Sequence, residues 1–559
     1  MCGIFCSFPR IICPGIPVND FRNSFNRRGP DKGGSCIFHG IIFEASVLWH
    51  QGPQLSSQPF EDNRGILVFN GDLFMDEIQN SSDSSWFFKS LSKCSTSKDI
   101  LEVLRKIRGP FCFIYYAKST KTLFFCRDYL GRNSLLLGMN SERIILTSTG
   151  RRSSEYSLVE LPPLGLYAIH TGNEKISFQI TFWEEKMIQS EYFQKEENCL
   201  RTFLESFAID YKRNPNEYIN PDCLQQCSWE FNYSFKDIFA KVPTEMHHES
   251  LLREALPSVQ DVVEILIELL EKSVRDRVTT TLKECKNCLK SSEKVSCSHA
   301  RIGILFSGGV DCTILTILAD KFIPNHATID LLNVAFEKKS SACGEVDWNV
   351  PDRVSARKAL EEVKRICPNR SWNLIEVNVK EEEKIENLTK EISHLIHPRN
   401  TILDESLGVA LWFAASGSTS CRVILIGSGA DELFGGYTRH QVAFKRGGEE
   451  ELRRVLEEDL LRLPSRNLAR DDRVICDHGV TQRAPFVEEQ IVQFVSQLQP
   501  LQRCFPPLGP GVGDKTLLRL CAYQLGLRET AWRTKKALQF GSRVANSKQD
   551  ANDVSIFLS

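Results

Sequence analysis

The sequence lacks a charge imbalance: 69 Lys and Arg stand against 71 Asp and Glu, a net charge of −2. That removes the electrostatic footing for nucleic acid or an anionic membrane surface as a partner. It also lacks any apolar run approaching the ~20 residues of a membrane span, and no basic segment precedes an apolar one near the start. The expectation is a soluble, cytoplasmic protein with neither nucleic acid nor a membrane as partner. Its 20 cysteines lack the dense spacing of a secreted disulfide scaffold and read mostly as buried free thiols. One group stands apart: Cys285, Cys288, Cys297 and His299, a CxxC followed by CxH, offers four ligands of the kind that close a tetrahedral zinc site. The intervals are atypical and the stretch is polar, so an exposed linker without structural zinc is expected there. What remains is ordinary globular composition, 559 residues with 42% hydrophobic and 25% charged, enough for two or three full cores.

Residues 301–319, RIGILFSGGVDCTILTILA, organise the rest. Ile302, Ile304, Leu305 and Phe306 read as a buried strand, Ser307 to Asp311 as a glycine-bearing turn, and Thr313 onward as an apolar helix. Gly308 and Gly309 let the backbone approach a ligand while the helix N-terminus points unpaired N–H groups at it, so phosphate is the natural guest. The Gly-Lys-Ser/Thr of a Walker A loop and the third glycine of a dinucleotide fingerprint are both missing. Asp311 would repel a polyphosphate unless Mg²⁺ bridged them, which points to a nucleotide whose pyrophosphate is split away. The alternative is a strand-to-helix turn that uses Gly-Gly only to bend.

Further β-like runs at 329–336, 372–377 and 422–426 alternate with helical patterns at 354–366 and 402–415. That alternation implies a doubly wound parallel sheet, with Ser307 and Gly427 beyond the carboxyl ends of its strands. A helix is expected from Ser258, with Val262, Ile265, Leu266, Leu269 and Ser273 on one face. At the other end, removal of Met1 would leave Cys2 with a thiol beside a free α-amine of pKa near ~8, a nucleophile that carries its own base. A small buried cysteine on a first strand is the plainer alternative.

SGGVDC at 307–312 resembles the SGGxDS pyrophosphate loop of the ATP-pyrophosphatase family, with Cys312 for the final serine. NRRGPD at 26–31, FNGDLF at 69–74, GPFCFIYY at 109–116 and RDYLG at 127–131 resemble segments of class II glutamine amidotransferases. GSGADELFGGY at 427–437 is similar to the SGEGxDExFGGY segment of asparagine synthetases, and Arg470 to Asp472, His478, Gly479, Arg483 to Phe486, Lys515 and Lys536 fall in further segments like theirs. The pattern resembles the asparagine synthetase domain-containing group, relatives of glutamine-hydrolysing asparagine synthetase.

The resemblance implies an α+β Ntn-type glutaminase domain of stacked antiparallel sheets at 1–184, a connecting region at 185–256, an α/β doubly wound ATP-pyrophosphatase domain at 257–546 and a tail at 547–559. It implies Cys2 as nucleophile, Asn70 and Gly71 at the oxyanion, and Asp72 and Asp83 on glutamine. Leu305, Ser307, Gly308, Gly309, Asp311, Cys312, Val334 and Gly427 would hold ATP, Asp311 and Asp431 Mg²⁺, and Lys515 the transition state. The implied reaction makes asparagine, glutamate, AMP and pyrophosphate from aspartate, glutamine and ATP. Three positions depart from the pattern: Ala45 stands where an arginine would clamp the glutamine carboxylate, Ser428 for a glutamate, and Asp404 for an arginine. An unmatched insert spans 337–353. The departures keep open a nucleotide-binding interaction protein that has lost synthesis, and an amide synthetase for a different acid.

Overall fold

Long apolar strands fill the first 180 residues because two stacked sheets must cover each other's inner faces. In the computed structural model, one sheet has six antiparallel strands in the order Ser157–Glu160, Leu136–Met139, Arg143–Thr147, Gly3–Pro9, Ile41–Val47 and Lys32–Phe38. The second has seven, Asp210–Tyr218, Ser177–Phe182, Gly165–His170, Thr122–Arg127, Phe111–Ala117, Gly65–Gly71 and Phe60–Glu61. Ile4, Phe43, Val68, Phe113 and Phe125 belong to the core they share. The structure describes all residues except 1, 11–18, 79–80, 172–174, 225–227, 243–245, 291–296, 298, 338–345, 419, 535, 546–549 and 559; residues 338–345 of the insert at 337–353 thus lie outside the described residues.

The motif-free stretch after residue 184 divides between the two halves of the molecule. Asp210–Tyr218 runs parallel to Ser177–Phe182 and extends the glutaminase-type sheet. Phe235 and Phe239 are buried in the core of the C-terminal half, where Trp229 and Phe231 also pack.

That half is built on a parallel sheet in the order Trp372–Val379, Ile329–Phe336, Ile302–Leu305, Val423–Leu425 and Thr481–Arg483. The three-residue edge strand at 481–483 carries no periodicity that a sequence window could detect. Helix Val310–Phe322 is buried from Val310 to Ala319, which explains its apolar surface all round. Helix Gln260–Thr279 starts two residues after Ser258, which lies in a 3-10 turn, and no side chain caps it. Its buried positions are Val262, Val263, Leu266, Ile267, Leu270, Ser273, Val274, Arg277 and Val278, with Ile265 and Leu269 only half-buried. The face is turned from the expected one. Among the described residues no helix is long and apolar enough to cross a membrane.

Charged side chains hold the two halves together. Arg28 forks onto Asp472 at 2.7 and 2.8 Å with both side chains sealed from water, Arg108 reaches Glu488 at 2.8 Å, Arg422 reaches Asp31 at 2.6 Å, and Arg473 pairs with Glu160. Removing one member of a buried pair strands the other charge, at a cost of about 3–5 kcal/mol. Asp472→Ala is therefore expected to lower the unfolding free energy by about that amount in urea denaturation, and Arg28→Met combined with Asp472→Leu to recover most of it. Equal losses in the two variants would show that the pair contributes packing rather than charge compensation.

Candidate functional site

Cys2 enters the first strand at a crowded point, since a Cβ on Gly3 would stand 2.3 Å from that of Phe25. Its N–H donates to Asn70 Oδ1 at 2.8 Å, its carbonyl accepts from Arg28 Nε at 3.1 Å, and Gln58 Nε2 lies 3.8 Å from its Sγ. Burial pushes the Cys2 thiol above its ordinary value. Asn70 is fixed in turn: its carbonyl accepts from Asn133 Nδ2 at 3.0 Å and its own Nδ2 points to Cys112 Sγ at 3.6 Å. Gly71 tolerates no Cβ, which would lie 2.7 Å from the Pro110 carbonyl oxygen. Cys2, Gly71 and Asp83 line one small cavity of about 20 Å³, room for roughly one water, so glutamine enters only if the rim moves.

Asp83 is the acidic side chain in that cavity's lining. Its Oδ1 accepts from the N–H of Ser84 at 2.6 Å, while Oδ2 is buried without a hydrogen-bond partner. Burial, helped by the nearby Asp72, pushes its carboxyl up to about 7. A buried carboxylate oxygen left unpaired is costly unless a cation comes to it, which suits an α-ammonium group. At the other end of such a ligand the fit fails. Ala45 is buried on its strand between Ile4 and Gly34, Arg28 is committed to Asp472, and Arg27 is committed to Asp477 and Glu391 at 2.9 and 2.7 Å. Among the described residues no Lys or Arg lines the cavity.

Asp72, expected among the glutamine ligands, does not line it either. Its carboxylate accepts from Arg483 Nε and Nη2, both at 2.8 Å, and contacts His50 Nε2 at 2.7 Å. The chain turns after Gly71 and directs this side chain into the domain interface.

The second cavity, about 320 Å³, lies at the carboxyl ends of the parallel strands. Leu305, Ser307, Asp311, Cys312, Val334, Gly427, Ser428 and Asp431 line it; Gly308 and Gly309 shape the turn beneath. Gly308 has φ +73°, and a Cβ there would sit 2.3 Å from the Ser355 backbone, so only glycine lets the turn press against helix Pro351–Ile366. The Cys312 thiol donates to the Gly309 carbonyl at 3.3 Å and so is spent on its own turn. Lys515 holds two carboxylates together, with Nζ at 2.7 and 2.8 Å from the oxygens of Asp311 and 2.6 Å from Asp431. Burial disfavours its charge, yet the two carboxylates raise its pKa above the ordinary value. Gly436 makes that approach possible: its Cβ would stand 1.9 Å from Asp431 Oδ1 and 2.2 Å from Lys515 Cε.

Two hard carboxylates already converging on one positive charge, beside a glycine turn at a helix N-terminus, fit Mg²⁺ and a polyphosphate. Asp404 also finds its balance, because Arg470 binds Asp404 at 2.8 Å and Asp471 at 2.7 Å; Arg470 faces the cavity from helix Ala469–Cys476, alongside Arg439, Arg462 and Arg466. Glu432 is a lining residue that motif reading passed over, although the Asp-Glu pair at 431–432 signals it. It accepts from the Tyr437 hydroxyl at 2.7 Å and from Asn467 Nδ2 at 2.9 Å, and burial beside Asp431 pushes it up to about 7. Lys536 is exposed. The stretch with Cys285, Cys288, Cys297 and His299 is not an exposed linker: Cys285 is buried, and the four ligand atoms gather within 4.8 Å of one another. Cys288 opens a 3-10 turn at Cys288–Lys290.

These two sites fall in two separately recognised regions. The glutamine amidotransferase domain family matches residues 1–158, and the asparagine synthase family matches 290–451 and 444–554. An asparagine synthetase domain-containing protein of Drosophila melanogaster is 39% identical over 99% of both chains. The chain belongs to the asparagine synthetase domain-containing family. The Homo sapiens asparagine synthetase domain-containing protein 1 is 32% identical over 98% of this chain and 96% of its own. The glutamine-hydrolyzing asparagine synthetase 1 of Saccharomyces cerevisiae is 20% identical over 93% of this chain and 80% of its own. This chain thus joins a glutamine amidotransferase domain to an asparagine synthase-like domain, and the two cavities sit one in each.

The Asp83 carboxyl has a pH consequence. Because its folded pKa, about 7, lies above the ordinary 3.8, the folded state holds the proton more tightly. Its contribution to stability is complete below about pH 4 and falls by about 1.4 kcal/mol per pH unit until pH reaches about 7. Asp83→Asn is expected to melt at a higher temperature than the natural protein at pH 8 and to lose that advantage at pH 4.5 in thermal unfolding. A constant difference at both pH values would contradict the buried, unpaired carboxylate.

Proposed function

We propose that the chain is an ATP-dependent amide synthetase that activates a carboxylic acid, aspartate in the first instance, in the cavity of Asp311, Asp431 and Lys515. The nitrogen is ammonia, released from glutamine at Cys2 or taken up directly. The observation that carries this reading is the Lys515 ammonium held between Asp311 and Asp431. A buried lysine shared by two carboxylates beside an open cavity is the concentration of charge that phosphoryl chemistry uses.

Bound Mg·ATP supplies the AMP group that activates the acid and the pyrophosphate that leaves. The residues of the chain do the remainder. The 307–311 turn presents backbone N–H groups, Asp311 and Asp431 hold the hard cation, and Lys515 places positive charge where negative charge develops. Glu432, with a pKa of about 7, takes the proton that the incoming nitrogen must lose. In the other cavity, a Cys2 freed of Met1 keeps its amine beside its thiol through the bond to Asn70, takes the thiol proton and attacks the glutamine amide. Asp83 holds the substrate ammonium group. The missing clamp at Ala45 costs about 1.5–3 kcal/mol of glutamine binding, so ammonium is the better donor.

The test uses protein lacking Met1 with Mg·ATP, aspartate and either ammonium or glutamine, with asparagine and AMP measured by mass spectrometry. Equal amounts of both products are expected, formed faster with saturating ammonium than with glutamine. Lys515→Met should lower AMP formation by about 10²–10³-fold. Failure to form AMP with any donor would refute the synthetase reading. A second reading, an acid other than aspartate, is favoured by Ser428, which lines the cavity where the resemblance implies a glutamate, and AMP release that depends on another acid but not on aspartate would select it.

A further inference from the structure

Four side chains that neither cavity uses converge where the chain approaches the phosphate-loop strand. His299 Nδ1 stands 3.6 Å from Cys285 Sγ, 3.5 Å from Cys288 Sγ and 3.7 Å from Cys297 Sγ. Tetrahedral zinc, with bonds of about 2.3 Å to sulfur and about 2.05 Å to nitrogen, separates an S ligand from an N ligand by about 3.6 Å. The three distances bracket that tetrahedral edge. None of the three cysteines is in a disulfide, so a covalent link does not account for the cluster. The N–H of Cys288 points back to Cys285 Sγ at 3.3 Å, a backbone donor of the kind that steadies a metal-bound thiolate.

We propose that Cys285, Cys288, Cys297 and His299 bind one Zn²⁺ through three thiolates and the His299 Nδ1. Three sulfurs and an imidazole select a soft or borderline ion over Mg²⁺ or Ca²⁺, and four protein ligands leave no open position for a substrate, so the site is structural. Its location gives it a task. The segment leads from helix Gln260–Thr279 into strand Ile302–Leu305. The Leu282 N–H bonds to the His50 carbonyl of the glutaminase half at 3.2 Å, and Lys286 bonds to the carbonyls of Ser420 and His478 at 2.8 and 2.6 Å. The ion ties down the connection that braces both halves and enters the phosphate turn at Ser307.

The experiment measures zinc in untagged, full-length protein expressed with added zinc and purified without chelator, by elemental analysis and by X-ray absorption at the zinc edge. One zinc per chain is expected, with a first shell of three sulfurs and one nitrogen. Cys288→Ser combined with Cys297→Ser is expected to lose it. The absorption spectrum of the natural protein decides the matter even if that variant fails to fold. Metal content at background, a shell of oxygen ligands, or full zinc retention in a folded variant would overturn the proposal.

Discussion

Asp72 and Arg483 meet inside the domain interface with both side chains wholly buried, joined by two hydrogen bonds of 2.8 Å and steadied by His50 at 2.7 Å. Taking such charges out of water costs several kcal/mol per ion, and only fork-to-fork geometry with further polar contacts offsets it. Burial alone would raise the Asp72 carboxyl, yet Arg483 and His50 hold it well below the usual carboxylate range. The pair is placed where it matters. Asp72 directly follows Asn70 and Gly71, while Arg483 ends the strand beside Val423–Leu425, which runs on to Gly427. A shift of one half against the other therefore moves the surroundings of both cavities, and Arg28, which touches both Cys2 and Asp472, imposes the same condition from a second direction.

Within that frame the two sites are unequal. The C-terminal cavity has its charges assembled: Lys515 compensates Asp311 and Asp431, and Arg470 compensates Asp404. Around Cys2 the cavity holds the buried carboxylate of Asp83, but among the described residues no Lys or Arg lines it.

The local devices were legible in the sequence. The glycine turn at 307–311, the strand and helix alternation after it and the motif positions of Cys2, Asn70, Gly71, Asp83, Asp311, Asp431 and Lys515 all depend on neighbours within a few residues. The interface was not. Arg27 and Asp477 are 450 positions apart and Asp72 and Arg483 are 411, and a lone arginine in a sequence does not name its partner. Asp72 read as a ligand because it follows Gly71, but the backbone turn between them sends its side chain the other way. The cluster around His299 was obscured for a related reason: the interval between Cys288 and Cys297 follows no fixed spacing. The buried face of helix Gln260–Thr279 is broader than its apolar spacing implies because it includes Arg277, which pairs with Glu488 and lies over the Phe74 ring.

The central claim is that buried charge pairs weld the halves into one cooperative body, so that the cavities keep a fixed relation. Scanning calorimetry of the intact chain and of Arg483→Met tests it most directly. The account expects one transition for the natural protein and two, one near the original temperature and one well below, for the variant, in which Asp72 is stranded. Two transitions in the natural protein, or a single unshifted one in Arg483→Met, would contradict it.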